Sequence, residues 1–99
     1  MQQFLIKSYP PRKNFLEQQS QEEKNAIKAH FEYLKGLMEK GTLAFAGRCE
    51  DATFGLALLK CESLEAAKEL ICNDPAVKAK VFSTECFSFS TALADLNNL

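Results

Sequence analysis

The groups in this chain that could move a proton or hold an anion are few, and they can be weighed one at a time. His30 is the only histidine, inside the stretch "KAHFEYLK". An imidazole with an unperturbed pKa of about 6.5 is the natural acid–base group at neutral pH, provided a hydrogen bond fixes its tautomer. Ile27 lies three residues before it and Leu34 four after, so on a helix all three share one side. The ring then borders the core or a cavity in it. It is either a satisfied structural residue or a group that handles protons. Asp74, in "CNDPAV", is the best partner for it. A carboxylate bonded to one ring nitrogen orients the imidazole and stabilises its protonated form. Asn73-Asp74-Pro75 reads equally as a plain helix stop.

Arg12, after a double proline, and Arg48, at the end of an apolar run, are possible anchors for a substrate carboxylate, because a guanidinium donates two parallel hydrogen bonds. Both also read as solvated side chains. Asp51, in "EDATFG", is either a second acid or a turn former. Four cysteines stand at 49, 61, 72 and 86 with no C-x-x-C pair. With one histidine, a zinc cluster has no local support, and no metal or cofactor is expected. The even count permits two disulfides, but without a secretory signal reduced and mostly buried thiols are the expectation. A catalytic thiol beside His30 is the sharper alternative.

The elements that must position these groups follow from periodicity. "QQFLIKS", 2–8, reads as a buried strand, stopped by Pro10 and Pro11, which cannot donate to a ladder. A loop over 9–19 follows. Ser20 with Glu23 three residues on forms a capping box, and Ile27, Phe31, Leu34 and Met38 then recur at helical spacing until Gly41, which suits a left-handed cap. "TLAFAGR", 42–48, and "FGLALLKC", 54–61, read as strands, with Gly55 a bulge or a close approach. Ser63 caps a second helix, "SLEAAKELICN", with one extra turn after Pro75. "VFSTECFSFS", 81–90, reads as a fourth strand, and the tail of about 91–99 as loosely helical. The order β-α-β-β-α-β is that of an α+β, ferredoxin-like fold, with a four-stranded antiparallel sheet and two helices on one face. All 99 residues are expected to form one domain.

Two helices cover only one face of such a sheet. Yet Leu43 and Phe45 alternate with Ala44 and Ala46, and Leu56 and Leu58 alternate with Ala57 and Leu59. Val81, Phe87 and Phe89 alternate with Phe82 and Cys86. Both faces therefore read as apolar, and a second copy packed sheet to sheet in a two-fold homodimer is the simplest cover. The other reading is that the tail folds over that face.

Composition narrows the partners. The chain is 46% hydrophobic and carries a net charge of -1, with both signs interspersed. That excludes a disordered chain and gives no basic stripe for nucleic acid. No segment approaches the roughly 18 apolar residues of a membrane span, so a soluble cytoplasmic protein is expected.

The parts together resemble the YCII-related (YciI-like) proteins of the dimeric α/β-barrel group. The matching stretches run from "FLIKSYPPR" to "FSFSTAL": "PPR" after the first strand, and H-x-x-Y-L-x-x-L over His30, Tyr33, Leu34 and Leu37. "EKGTLAFAG", "FGLALL" and "AAKELICNDPAVKA" with its "NDP" element follow in order. The resemblance implies a ferredoxin-like subunit that dimerises through its sheets, with a pocket where His30 meets Asp74. It also implies small enzymes acting on small organic acids or ring compounds by lyase, dehalogenating or isomerising steps. The chain departs from the family at Gly47-Arg48, where Gly-Pro is usual, and at "CEDAT", where the turn is usually richer in glycine and proline. Both changes fall where the mouth of the pocket is expected.

The expectation is thus a cofactor-independent acid–base enzyme on a small anionic molecule. His30 and Asp74 would be catalytic, and Arg12, Arg48 or Asp51 would bind substrate. The alternative is a non-catalytic small-molecule-binding or regulatory dimer. An oxygenase of the same structural group is disfavoured by the lack of a metal cluster, a flavin signature and any tryptophan.

Overall fold

The computed structural model covers residues 1–99. Strand β1 (Gln2–Tyr9) is followed by helix α1 (Gln21–Glu39), strands β2 (Leu43–Arg48) and β3 (Gly55–Cys61), helix α2 (Leu64–Cys72), the short helix α3 (Pro75–Lys78) and strand β4 (Ser83–Phe89). A single 3-10 turn closes the tail at Leu96–Asn98. The sheet is antiparallel throughout, in the order β2-β3-β1-β4. No helix is long and apolar enough to cross a membrane.

Each end of α1 is specified by its own residues. The Ser20 hydroxyl accepts from the Glu23 backbone, and the Glu23 carboxylate accepts from the Ser20 N–H at 2.9 Å. This pairing satisfies two donors that a helix start leaves free. At the other end Gly41 has φ 80°, and the Thr42 N–H reaches back to the Leu37 carbonyl at 2.9 Å. That is the Schellman arrangement, which needs a residue tolerant of left-handed geometry.

The main core lies between the helices and one sheet face. Phe4 and Ile6 of β1 pack with Leu59 and Cys61 of β3, Leu43 of β2, Leu37 of α1 and Ala67 of α2. Phe4 is wholly buried, which contributes about 1.5–3 kcal/mol. A smaller cluster of Phe15, Ala26, Ala76 and Val81 joins the 10–19 loop, α1 and α3, with Ile27 and Phe82 against it. This second cluster holds α3, and with it Asp74, beside the middle of α1.

The register corrects one sequence expectation. Leu43 pairs with Leu59, but Phe45 pairs with Leu58, because β2 is bulged between them. Directly opposed residues share a face and successive ones alternate, so Leu43 enters the core while Phe45 turns to the opposite side. Gly55 is not a bulge but a close approach: a Cβ there would lie 3.2 Å from the Gly47 carbonyl oxygen. On the open face, Phe45, Leu58, Leu5 and Phe87 form one apolar row across all four strands. Leu56 and Phe89 flank it, with Lys7, Glu85, Gln3 and Lys60 around them. The tail touches this face at its edge, where Thr91 bonds the Gln3 side chain, but its Leu93 and Leu99 are 95% and 98% exposed and do not pack on it.

Candidate functional site

His30 sits midway along α1, and Asp74 is the N-cap of α3. Although 44 residues apart in the chain, their side chains meet: His30 Nδ1 lies 2.6 Å from Asp74 Oδ2. A carboxylate oxygen only accepts, so the shared proton belongs to Nδ1. The other carboxylate oxygen, Oδ1, accepts from the Ala76 N–H at 2.9 Å. Pro75, the first residue of α3, has its φ preset for a helix start. Asp74 is therefore pinned from both sides and nearly buried, the only polar residue in the buried set. Phe82 meets the imidazole edge to face at 5.2 Å, and Phe15 in turn packs on Phe82 at 6.2 Å. These contacts fix the ring plane. Nε2 has no protein partner and is not sealed away.

The ring lines a cavity of about 700 Å³ that runs between α1 and the sheet toward the β2 end. Its walls are mainly apolar, with Phe15, Phe82, Phe31, Phe54 and Tyr33 among them, and Arg48 is also present. The size suits a small organic molecule. An unpartnered ring nitrogen in such a wall can accept or deliver one proton. The conjugate imidazolium would be held by Asp74.

The remaining expected residues divide. Arg48 reaches the cavity; its Nη1 donates to the carbonyls of Cys49 and Glu50, both at 3.0 Å, and Nη2 has no protein partner. Arg12 does not reach it. Its guanidinium grips the Glu23 carboxylate with two bonds, at 2.8 and 2.7 Å, also donates to the Gln18 carbonyl, and lies over Phe15. The bonds from Arg12, then from the Ser20 backbone, hold Glu23 down at about 2. Arg12 thus staples the loop to the start of α1. Asp51 is likewise not brought to the cavity. It accepts from the Thr53 hydroxyl at 2.5 Å and backbone N–H at 2.9 Å, bonds that hold its carboxyl below the usual range. It is a turn former beside Ala52, whose φ is 60°.

All four cysteines are free thiols, and none lines the cavity. Against the expectation of buried thiols, only Cys61 is buried; Cys49 and Cys86 are half-buried and Cys72 is exposed, while burial pushes the Cys61 and Cys86 thiols up, which suits an unreactive packing role. Two features escaped the sequence reading. One is the Phe15–Phe82 aromatic wall, which no local pattern announces. The other is Tyr33, whose hydroxyl donates to the Leu70 carbonyl at 2.8 Å. Its place one helical turn after His30 was the available signal.

Removing the Asp74 carboxylate tests the geometry directly. Asp74→Ala strips the cap from α3 and strands the N–H of the wholly buried Ala76. The expected cost is about 2 kcal/mol. For a chain of this length that is a fall of roughly 10 °C in Tm by thermal unfolding. An unchanged Tm would mean that Asp74 does not hold α3.

Comparison with known proteins bears on the fold and the family. No curated protein matches the chain. Among solved structures, 5-chloro-2-hydroxyhydroquinone dehydrochlorinase (TftG) from Burkholderia phenoliruptrix AC1100, in complex with 2,5-dihydroxybenzoquinone, superposes with a TM-score of 0.69 at 24% identity. The match covers 89% of this chain and 93% of that one. Muconolactone isomerase superposes with a TM-score of 0.70 at 14% identity, over 94% of this chain and 97% of the other. Both likenesses establish the architecture. The family model of the YCII-related domain matches residues 3–90, nearly the whole chain, and the protein belongs to that family.

Proposed function

We propose that the protein is a small cofactor-independent enzyme that moves a proton on a ring-shaped, oxygen-bearing organic molecule. The observation that carries this reading is the His30–Asp74 contact with Nε2 left open to an apolar cavity. With the ring proton on Nδ1, the Nε2 lone pair takes a proton from a carbon or hydroxyl conjugated to a substrate carbonyl. The electrons of the broken bond form a new π bond. In an elimination a leaving group such as chloride departs with its electron pair, and the proton passes to solvent. In an isomerisation the imidazolium returns the proton to a second carbon. Asp74 stabilises the imidazolium in either case, and Arg48 and Lys35, the cations that line the cavity, are able to hold an anionic substituent. The names of the two structural neighbours, one a dehydrochlorinase and one an isomerase, fit this pair of outcomes. The working unit is a homodimer joined through the open sheet face, where Phe87 and Phe89 stay exposed in the single chain.

A second reading is favoured by one observation: Asp74 already caps α3, so the pair could serve the fold of a non-catalytic metabolite-binding module. Incubation with 5-chloro-2-hydroxyhydroquinone and with muconolactone separates the two. The enzyme reading expects chloride release or lactone rearrangement, together with thermal stabilisation by 2,5-dihydroxybenzoquinone. A ligand at a hundred times its Kd adds about 2.7 kcal/mol. Stabilisation by all three compounds with none consumed would favour the binding module. No response to any of them would remove this substrate class.

A further inference from the structure

We infer that Tyr33 is a positioning residue for the His30–Asp74 pair, acting through the last turn of α2. Its effect on turnover rests on the function proposed above; its effect on the ring does not.

A backbone bond is displaced where α2 ends. In a regular helix the Asp74 N–H would bond the Leu70 carbonyl, four residues back. Instead it bonds Ile71, three residues back, at 3.1 Å. Pro75 follows and has no N–H to offer. The Leu70 carbonyl is thus freed by the tightened turn that presents Asp74. Tyr33 takes it, with its hydroxyl at 2.8 Å.

Tyr33 and His30 are three residues apart on α1, and Leu70 and Asp74 are four apart across the end of α2. The two helices are therefore linked by two parallel bonds one helical turn apart. The lower sets the turn from which the upper is made. Burial, then the Asp74 charge, push the Tyr33 phenol above its usual range, so it stays a donor. Without the hydroxyl, Leu70 loses its partner, and the Asp74 N–H is free to return to it. That return would swing the carboxylate relative to the ring.

The test uses the uniqueness of His30. In protein labelled with nitrogen-15 in histidine, the two ring nitrogens report where the proton sits. The wild type is expected to show one neutral tautomer, Nδ1–H. Tyr33→Phe keeps the ring and removes only the hydroxyl. It is expected to give mixed tautomers, and to lower kcat by roughly 10- to 100-fold with little change in KM, the behaviour of a misplaced rather than missing group. Ala67→Gly loosens α2 elsewhere and is expected to keep the single tautomer. A single Nδ1–H tautomer in Tyr33→Phe would overturn the inference. So would equal mixing in Ala67→Gly, because the effect would then be general loosening. If His30→Asn retains turnover, the proton chemistry fails, while the ring signature of Tyr33→Phe still decides this coupling.

Discussion

His30→Asn is expected to lower turnover by roughly 10²- to 10⁴-fold, the usual contribution of a positioned acid–base group. Asparagine has no lone-pair nitrogen to accept the proton, and its short side chain leaves the cavity end of the site empty. The fold should survive, because His30 is half-buried and belongs to neither buried cluster. Circular dichroism and Tm check that point before any rate is read. Asp74→Asn provides the more discriminating partner experiment. The amide oxygen can still accept from Ala76, so α3 keeps its cap. The amide NH2, however, now faces Nδ1 as a donor, which forces the ring proton onto Nε2 and removes the lone pair from the cavity. A folded Asp74→Asn protein with a loss close to that of His30→Asn is therefore expected. The double variant should lose little more than either single one, since the two act as a unit. Normal turnover of a true substrate by His30→Asn would sink the proton chemistry outright.

Most of the architecture was legible because its signals are local. The capping box at Ser20 and Glu23, the left-handed position at Gly41 and the Ser63 cap mark the helix ends within a few residues of chain. Alternation marks the strands, and the order of the elements then leaves few topologies. What was not legible depends on partners distant in sequence or on register. Nothing in "TLAFAGR" announces the bulge that sends Leu43 and Phe45 to opposite faces. Arg12 looked free because its partner, Glu23, already had a role in the capping box. Asp51 offered two readings, and the neighbouring Thr53 hydroxyl selects the turn. His30 and Asp74 could be named as a pair from the helix stripe and the proline turn. Their contact, though, depends on the second cluster around Phe15 and Ala76, which no periodicity describes.

The largest effect on assembly is expected from Phe87→Glu. Phe87 ends the apolar row Phe45–Leu58–Leu5–Phe87 and is 45% exposed in the single chain, as Phe89 is at 42%. A carboxylate there can stay in water while the protein is monomeric, so the fold loses little. In a two-fold sheet-to-sheet dimer the same position is buried, and symmetry buries it twice. Each unpaired carboxylate costs several kcal/mol to desolvate, so even about 2 kcal/mol apiece weakens the dimer by roughly a thousandfold. Of the charges on this face, Lys60 lies at the far end of the row it shares with Gln3 and Phe89, and the two nearest Phe87 are already engaged. Glu85 is bonded by the Tyr9 hydroxyl, and Lys7 is held over the Phe54 ring at 4.5 Å. In sedimentation equilibrium the natural chain is expected at twice its 11.1 kDa mass, and Phe87→Glu at 11.1 kDa with an unchanged circular dichroism spectrum. A natural chain that sediments as a monomer at tens of micromolar would refute the homodimer. A Phe87→Glu protein that stays dimeric would move the contact away from the open face, because no sheet-to-sheet packing could hold two unpaired carboxylates at the end of that row.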